Sequence, residues 1–128
     1  MPRLAVEAIL LDQVRQHGGL AGLRDEGLLE AALARPRHQW SYKRRPDLAG
    51  LAAAYAYGLI RNHPFHDGNK RVGFVTAVVF LGLNGKELLA DEPDVVTTIL
   101  GVAAGRVSEA ALARWFRGRL ESLPGNAG

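Results

Sequence analysis

The chain of 128 residues is 48% hydrophobic and 23% charged and holds no cysteine. That is the size of one folded domain, and it excludes a disulfide scaffold, a thiolate metal centre and a thiol nucleophile. Lys and Arg total 16 against 13 for Asp and Glu, a formal charge of +3 with a pI near 9.7, which points only weakly to anionic partners. The longest near-apolar run, Val72 to Leu83, falls short of the about 20 residues of a membrane helix. Glu7 and Asp12 interrupt the apolar N-terminal stretch, so a signal peptide is not expected and a cytoplasmic location is.

In chain order, residues 3–16 predict a first helix, with Leu4, Ala8, Leu11 and Arg15 along one face and Val14 beside them. His17-Gly18-Gly19 ends it. Asp25 is placed to cap a short helix over 26–34, which stops at Ala34-Arg35 because Pro36 follows. Residues 35–47 read as a loop. Arg35, Arg37, Lys43, Arg44 and Arg45 fall in it with Trp40 and Tyr42 between them; the expectation is a solvated loop with Trp40 packed on the core. Asp47 caps the next helix, whose stripe is Leu48, Ala52, Tyr55 and Leu59 and whose end near His63 is set by Pro64.

The run VGFVTAVVFLGL has the β-branched residues of a strand. It is too long for one, and Phe74, Ala77, Val78 and Leu81 keep helical spacing. It is read as a buried central helix that ends at Asn84-Gly85. A short hairpin near Lys86–Leu89 is the one stretch left for strands. Asp94 and Ser108 are placed to cap two last helices, about 95–104 and 109–121, ahead of a frayed tail over about 122–128. The expected fold is all-α: one domain over 1–128, a compact bundle of about six helices around a buried central helix.

The chemistry concentrates in His63-Pro64-Phe65-His66-Asp67-Gly68-Asn69-Lys70-Arg71. Gly68 permits a tight loop with close backbone approach. The helix that follows offers free N–H groups and the positive end of its dipole, a ready anion site. Lys70 and Arg71 add charge there, although cations at a helix N-terminus oppose the dipole unless an anion resolves the conflict. Asp67 offers a hard oxygen to Mg²⁺, or a cap to the next helix. Imidazole exchanges a proton near neutral pH, so His63 is a candidate base or else a C-terminal cap. Phe65 reads as a structural anchor. A base, a metal ligand and a phosphate cradle are what phosphate transfer needs.

HPFHDGNKR resembles the signature of the Fic-fold proteins, HPFx(D/E)GN followed by Gly-Arg or Lys-Arg. The Lys-Arg ending and the flanks resemble the death-on-curing (Doc) toxin branch. Those flanks are Gly22 to Leu29, Ala34-Arg35-Pro36, Phe80-Leu81, Asn84-Gly85 and Ser108 to Trp115. The resemblance implies a Fic/Doc-like fold and a protein modifier in which His63 is the base for a target hydroxyl and Asp67 holds Mg²⁺. It implies that Gly68, Asn69 and the backbone beyond cradle nucleotide phosphates, with contacts from Arg71 and Arg61.

Lys70 stands where AMP-transferring Fic enzymes usually carry Gly, and it crowds the space for the distal phosphates. The resemblance then implies that ATP presents its γ-phosphate, with elongation factor Tu as the protein target and inhibited translation as the result. Pro64 and Gly68 depart from the Doc toxin and match AMP-transferring members, which leaves AMP transfer as the alternative. The in-cis inhibitory pattern (S/T)xxxE(G/N) is not met, since the Glu26-Gly27 pair has Gly22 in the Ser/Thr position. The resemblance therefore implies a Phd-type antitoxin acting in trans.

Two other readings compete. A metal-dependent phosphohydrolase would draw ligands from His38, His66-Asp67 and Asp91 or Asp94. The basic and aromatic stretch 35–45 would serve a single-stranded nucleic acid; direct nucleic-acid contact is not the expectation.

Overall fold

The computed structural model describes residues 1–42 and 47–124. Six helices and one small ladder follow in order: α1 (Arg3–His17), α2 (Glu26–Tyr42), α3 (Leu48–Asn62), α4 (Asn69–Leu83), β1 (Lys86–Leu88), α5 (Glu92–Ala103), α6 (Glu109–Arg117) and β2 (Leu120–Ser122). The all-α expectation holds. The element in the middle is α3, not α4. Ala49, Leu51 to Ala56 and Gly58 to Ile60 are all buried in α3, and it packs on α2, α4, α5 and α6. By contrast α4 keeps an open side, with Val79 37% and Leu83 74% exposed. Small residues explain the difference, because an Ala- and Gly-rich helix admits neighbours all round. A Cβ on Gly58 would lie 3.2 Å from the Ala32 backbone on α2, and one on Gly73 of α4 would lie 3.1 Å from the Ala56 carbonyl oxygen of α3.

Several local expectations change. The buried side of α1 carries Val6, Leu10 and Gln13, while Leu4 is 79% and Leu11 55% exposed. Apolar residues occur on both sides of this helix, so its own periodicity does not choose between them. The choice is made by Leu29 and Leu33 of α2 and Val72 of α4, which form one cluster with Val6 and Leu10. Arg3 then ties α1 to α2 through Glu26 at 2.7 Å and Glu30 at 2.8 Å.

Residues 35–42 belong to α2 and not to a loop, with Pro36 inside the helix. Proline removes one helical hydrogen bond and normally breaks the run. Here Glu109 of α6 accepts from Arg35 Nε at 3.0 Å and also from Gln39, so the turns on both sides of Pro36 are held from outside the helix. Trp40 is 67% exposed and does not pack on the core. Lys43, Arg44 and Arg45 lie outside the described residues, as do 125–128.

The strand Lys86–Leu88 forms no local hairpin. It pairs antiparallel with β2 in the register Lys86↔Ser122, Glu87↔Glu121 and Leu88↔Leu120. The last helix accordingly stops at Arg117, and the start of the expected frayed tail is part of a ladder. The cap of α5 is Asp91, whose carboxylate accepts from the Asp94 N–H at 3.1 Å. Asp94 instead accepts from Trp115 Nε1 at 3.1 Å and Arg119 Nε at 2.7 Å. Asp25, Asp47 and Ser108 do cap α2, α3 and α6.

Asp47 also receives Arg117 Nε at 2.6 Å. The Arg117 guanidinium holds the Asp47 carboxyl below the usual carboxylate range, with the Gly50 N–H adding to the effect against the opposing cost of burial. A depressed carboxylate stabilises the fold above its unfolded pKa and loses that contribution as pH falls through the folded one. The pair is about half exposed, so its worth is about 0.2–1 kcal/mol. Arg117→Met is expected to lower Tm slightly at pH 7 and to narrow the Tm difference between pH 7 and pH 3, measured by thermal scans.

Candidate active site

The site begins where α3 ends. Proline disfavours helical geometry at the residue before it, and His63 takes φ 54 and ψ 51. It is the one non-glycine residue with positive φ among those described. Its N–H closes α3 on the Leu59 carbonyl at 3.3 Å. Arg24 donates from Nε to the His63 carbonyl at 2.8 Å and from Nη2 to the Asn62 carbonyl at 3.3 Å. The exposed imidazole of His63 thus leaves a pinned backbone.

The loop after it is stitched to the α1–α2 connection. Arg24 N–H donates to the Pro64 carbonyl at 2.7 Å, His66 N–H donates to the Gly22 carbonyl at 3.2 Å, and Leu23 and Phe65 form an antiparallel bridge. Phe65 is fully buried. Asn69 fixes the loop from within: its Oδ1 accepts from the Phe65 N–H at 3.0 Å and its Nδ2 donates to the Phe65 carbonyl at 2.9 Å. The Asn69 amide is therefore committed, and what Asn69 can offer a phosphate is its backbone N–H. Asn69→Ala leaves two buried backbone groups without partners, at about 1–3 kcal/mol each. It is expected to lower the urea midpoint and to weaken nucleotide binding together, checked by denaturation and by titration calorimetry.

Gly68 precedes α4 at φ 82 and ψ 9, and no side chain caps the helix. The first N–H to find a helical partner is that of Val72, on the Gly68 carbonyl at 2.8 Å. The N–H groups of Asn69, Lys70 and Arg71 have none within the helix. The Lys70 and Arg71 side chains are exposed beside them. Arg3, Arg35, Arg117 and Arg119 form ion pairs, while Lys70 and Arg71 take part in none among the described residues. A pocket of about 360 Å³ opens on this end of α4, lined by His63, by His66 to Arg71, and by His17, Gly18 and Gly19. Next to it lies an apolar slot of about 200 Å³, where Lys70 and Arg71 meet Phe74, Val95, Val96, Ile99 and Leu100.

The structure brings together His63, Asp67, Gly68, Asn69, Lys70 and Arg71. It does not bring Arg61. That guanidinium donates to the Ala103 carbonyl at 2.9 Å and the Val102 carbonyl at 3.5 Å, closing the C-terminus of α5, where a cation suits the helix dipole. Missed in the sequence were His17, Gly18 and Gly19 as pocket walls and Arg24 as the clamp on His63. The available signal was the second glycine, one more than a helix stop needs.

Asp67 Oδ2 accepts from the Leu20 N–H at 2.7 Å, and Oδ1 has no protein partner among the described residues. No group of three His, Cys, Asp or Glu residues stands close enough to hold a metal among the described residues. One carboxylate fits Mg²⁺, which is usually held by one or two carboxylates together with substrate phosphates. It does not fit a resident metal centre, and the phosphohydrolase set of His38, His66-Asp67, Asp91 and Asp94 is not assembled. No helix of the described residues is long and apolar enough to cross a membrane.

A helix–loop–helix with a histidine on one side and an uncapped, basic helix N-terminus on the other is a geometry suited to an anion. Comparison with known proteins makes the class specific. The Fic/DOC family model matches residues 4–81. The chain is 33% identical over 104 residues to the protein named "Protein kinase doc" of Escherichia phage P1, covering 81% of this chain and 82% of that one. It is 45% identical over 75 residues to "Toxin Doc" of Mycolicibacterium smegmatis, 58% of each chain. The chain belongs to the Fic/DOC family.

Proposed function

We propose that this protein is the toxin of a toxin–antitoxin module and transfers the γ-phosphate of ATP to a hydroxyl of a protein target. The observation that carries the reading is the N-terminus of α4: N–H groups without helical partners, with Lys70 and Arg71 in no ion pair among the described residues, next to the motif histidine. Two cations against the positive end of a helix dipole are unfavourable until an anion joins them. The apolar slot alongside favours a nucleoside phosphate over free phosphate, because it offers a second, uncharged surface in reach of the same Lys70 and Arg71.

In this mechanism His63 accepts the proton of the target hydroxyl. The oxygen bonds to the γ-phosphorus and the bond from that phosphorus to the bridging oxygen breaks, releasing ADP. The α4 N–H groups and Arg71 hold phosphate oxygens, Arg71 in a bidentate manner. Lys70 fills the space that distal phosphates would need if the α-phosphate faced the target. Asp67 would hold Mg²⁺, which would supply neutralisation of phosphate charge.

The kinase reading agrees with the name of the phage relative. The toxin reading agrees with the name of the mycobacterial one and brings with it a Phd-like antitoxin in trans. Elongation factor Tu is the proposed target, with translation inhibited. AMP transfer is the second reading, favoured by Pro64 and by Gly68 at its positive φ. A nucleic-acid module on 35–45 is less supported, since Arg35 is committed to Glu109.

The test is transfer to elongation factor Tu from ATP labelled at the γ- or the α-phosphate. Label from γ alone is expected. Label from α establishes AMP transfer and overturns the role given to Lys70; no label on any cellular protein overturns both.

A further inference from the structure

The Asp67 carboxylate, the one hard ligand of the site, is not oriented by its own loop. Its Oδ2 is held at 2.7 Å by the backbone N–H of Leu20, 47 residues earlier in the chain. The Leu20 side chain is 61% exposed, so what this position gives the site is its main chain. The approach depends on Gly18 at φ 79 and Gly19 at φ 107, conformations that side chains disfavour. A Cβ on Gly19 would stand 3.1 Å from Asp67 Cβ and 3.5 Å from its Oδ2. The same connection already bonds Pro64 and His66, and His17, Gly18 and Gly19 line the pocket.

We propose that the turn Gly18–Leu20 is a positioning element of the active site: the Leu20 N–H fixes Asp67 through Oδ2 and leaves Oδ1 for the divalent cation of the nucleotide. A ligating carboxylate with one oxygen anchored loses less rotational freedom on binding metal, which is how hydrogen-bonded partners outside the coordination sphere raise affinity. The proposal rests on the reading of Asp67 as the metal ligand.

The test uses Mn²⁺ binding to the full chain loaded with a non-hydrolysable ATP analogue, read by electron paramagnetic resonance, with no turnover required. Leu20→Pro removes the N–H and is expected to weaken Mn²⁺ binding by about ten-fold. Leu20→Ala keeps the N–H and is expected to bind as the wild type does. Circular dichroism confirms that each variant is folded. If Leu20→Pro does not fold, Gly19→Ala, which pushes Asp67 aside, is read in the same way. Equal or tighter Mn²⁺ binding by the folded variant overturns the positioning role, and tighter binding identifies the contact as a competitor of the metal. Failure of the wild type to bind Mn²⁺ with nucleotide present overturns the reading of Asp67 itself and the positioning role with it.

Discussion

Removing the His63 imidazole is expected to lower target modification by about 10²–10⁴-fold, the usual contribution of a general base, with nucleotide binding retained. The backbone decides which variant is informative. His63 sits at φ 54, a region in which Asn is tolerated far better than Ala. His63→Asn therefore keeps the turn while removing the proton acceptor, and His63→Ala adds backbone strain at the same point. Both are expected to lose transfer; Asn is expected to keep the wild-type Tm and Ala to fall below it. Wild-type rates in His63→Asn, measured by label transfer, would show that the proton goes elsewhere.

The second large effect is expected at Phe65. This side chain is fully buried and packs in one cluster with Val6 and Leu10 of α1, Leu29 of α2, Leu59 of α3 and Val72 of α4. Truncating a buried Phe to Ala costs about 3–5 kcal/mol, a large share of the stability of a domain of this size. Phe65→Ala is expected to show that loss in urea denaturation. It is also expected to weaken ATP binding, because the backbone of Phe65 is the strut on which Asn69 and Leu23 hold the loop. Phe65→Leu keeps most of the apolar volume and is expected to recover most of both. A stable Phe65→Ala protein with unchanged nucleotide affinity would separate the loop from the core.

Much of the site was legible in sequence because its parts are contiguous. Pro64 dictates where α3 stops, Gly68 supplies the positive φ before α4, and Lys70 and Arg71 fall in the first turn through their numbering alone. The caps Asp25, Asp47 and Ser108 were legible for the same reason, since a cap and its N–H lie three residues apart. Arg61 shows the limit. Its position in the chain puts it two residues from His63, but a side chain on the last turn of α3 points where the helix rotation sends it, and there it meets the carbonyl end of α5.

The sequence by itself determined the local geometry of the motif and the helical class, since both rest on neighbours within one turn or one loop. Tertiary structure alone decided the rest. It selected the buried face of α1, carried α2 past Pro36 by way of Glu109, and paired β1 with a strand more than thirty residues away. It also placed the Leu20 N–H on Asp67. Each of these joins groups far apart in the chain. Their energy comes from contacts that exist only once the helices have packed, and no local periodicity or propensity records them.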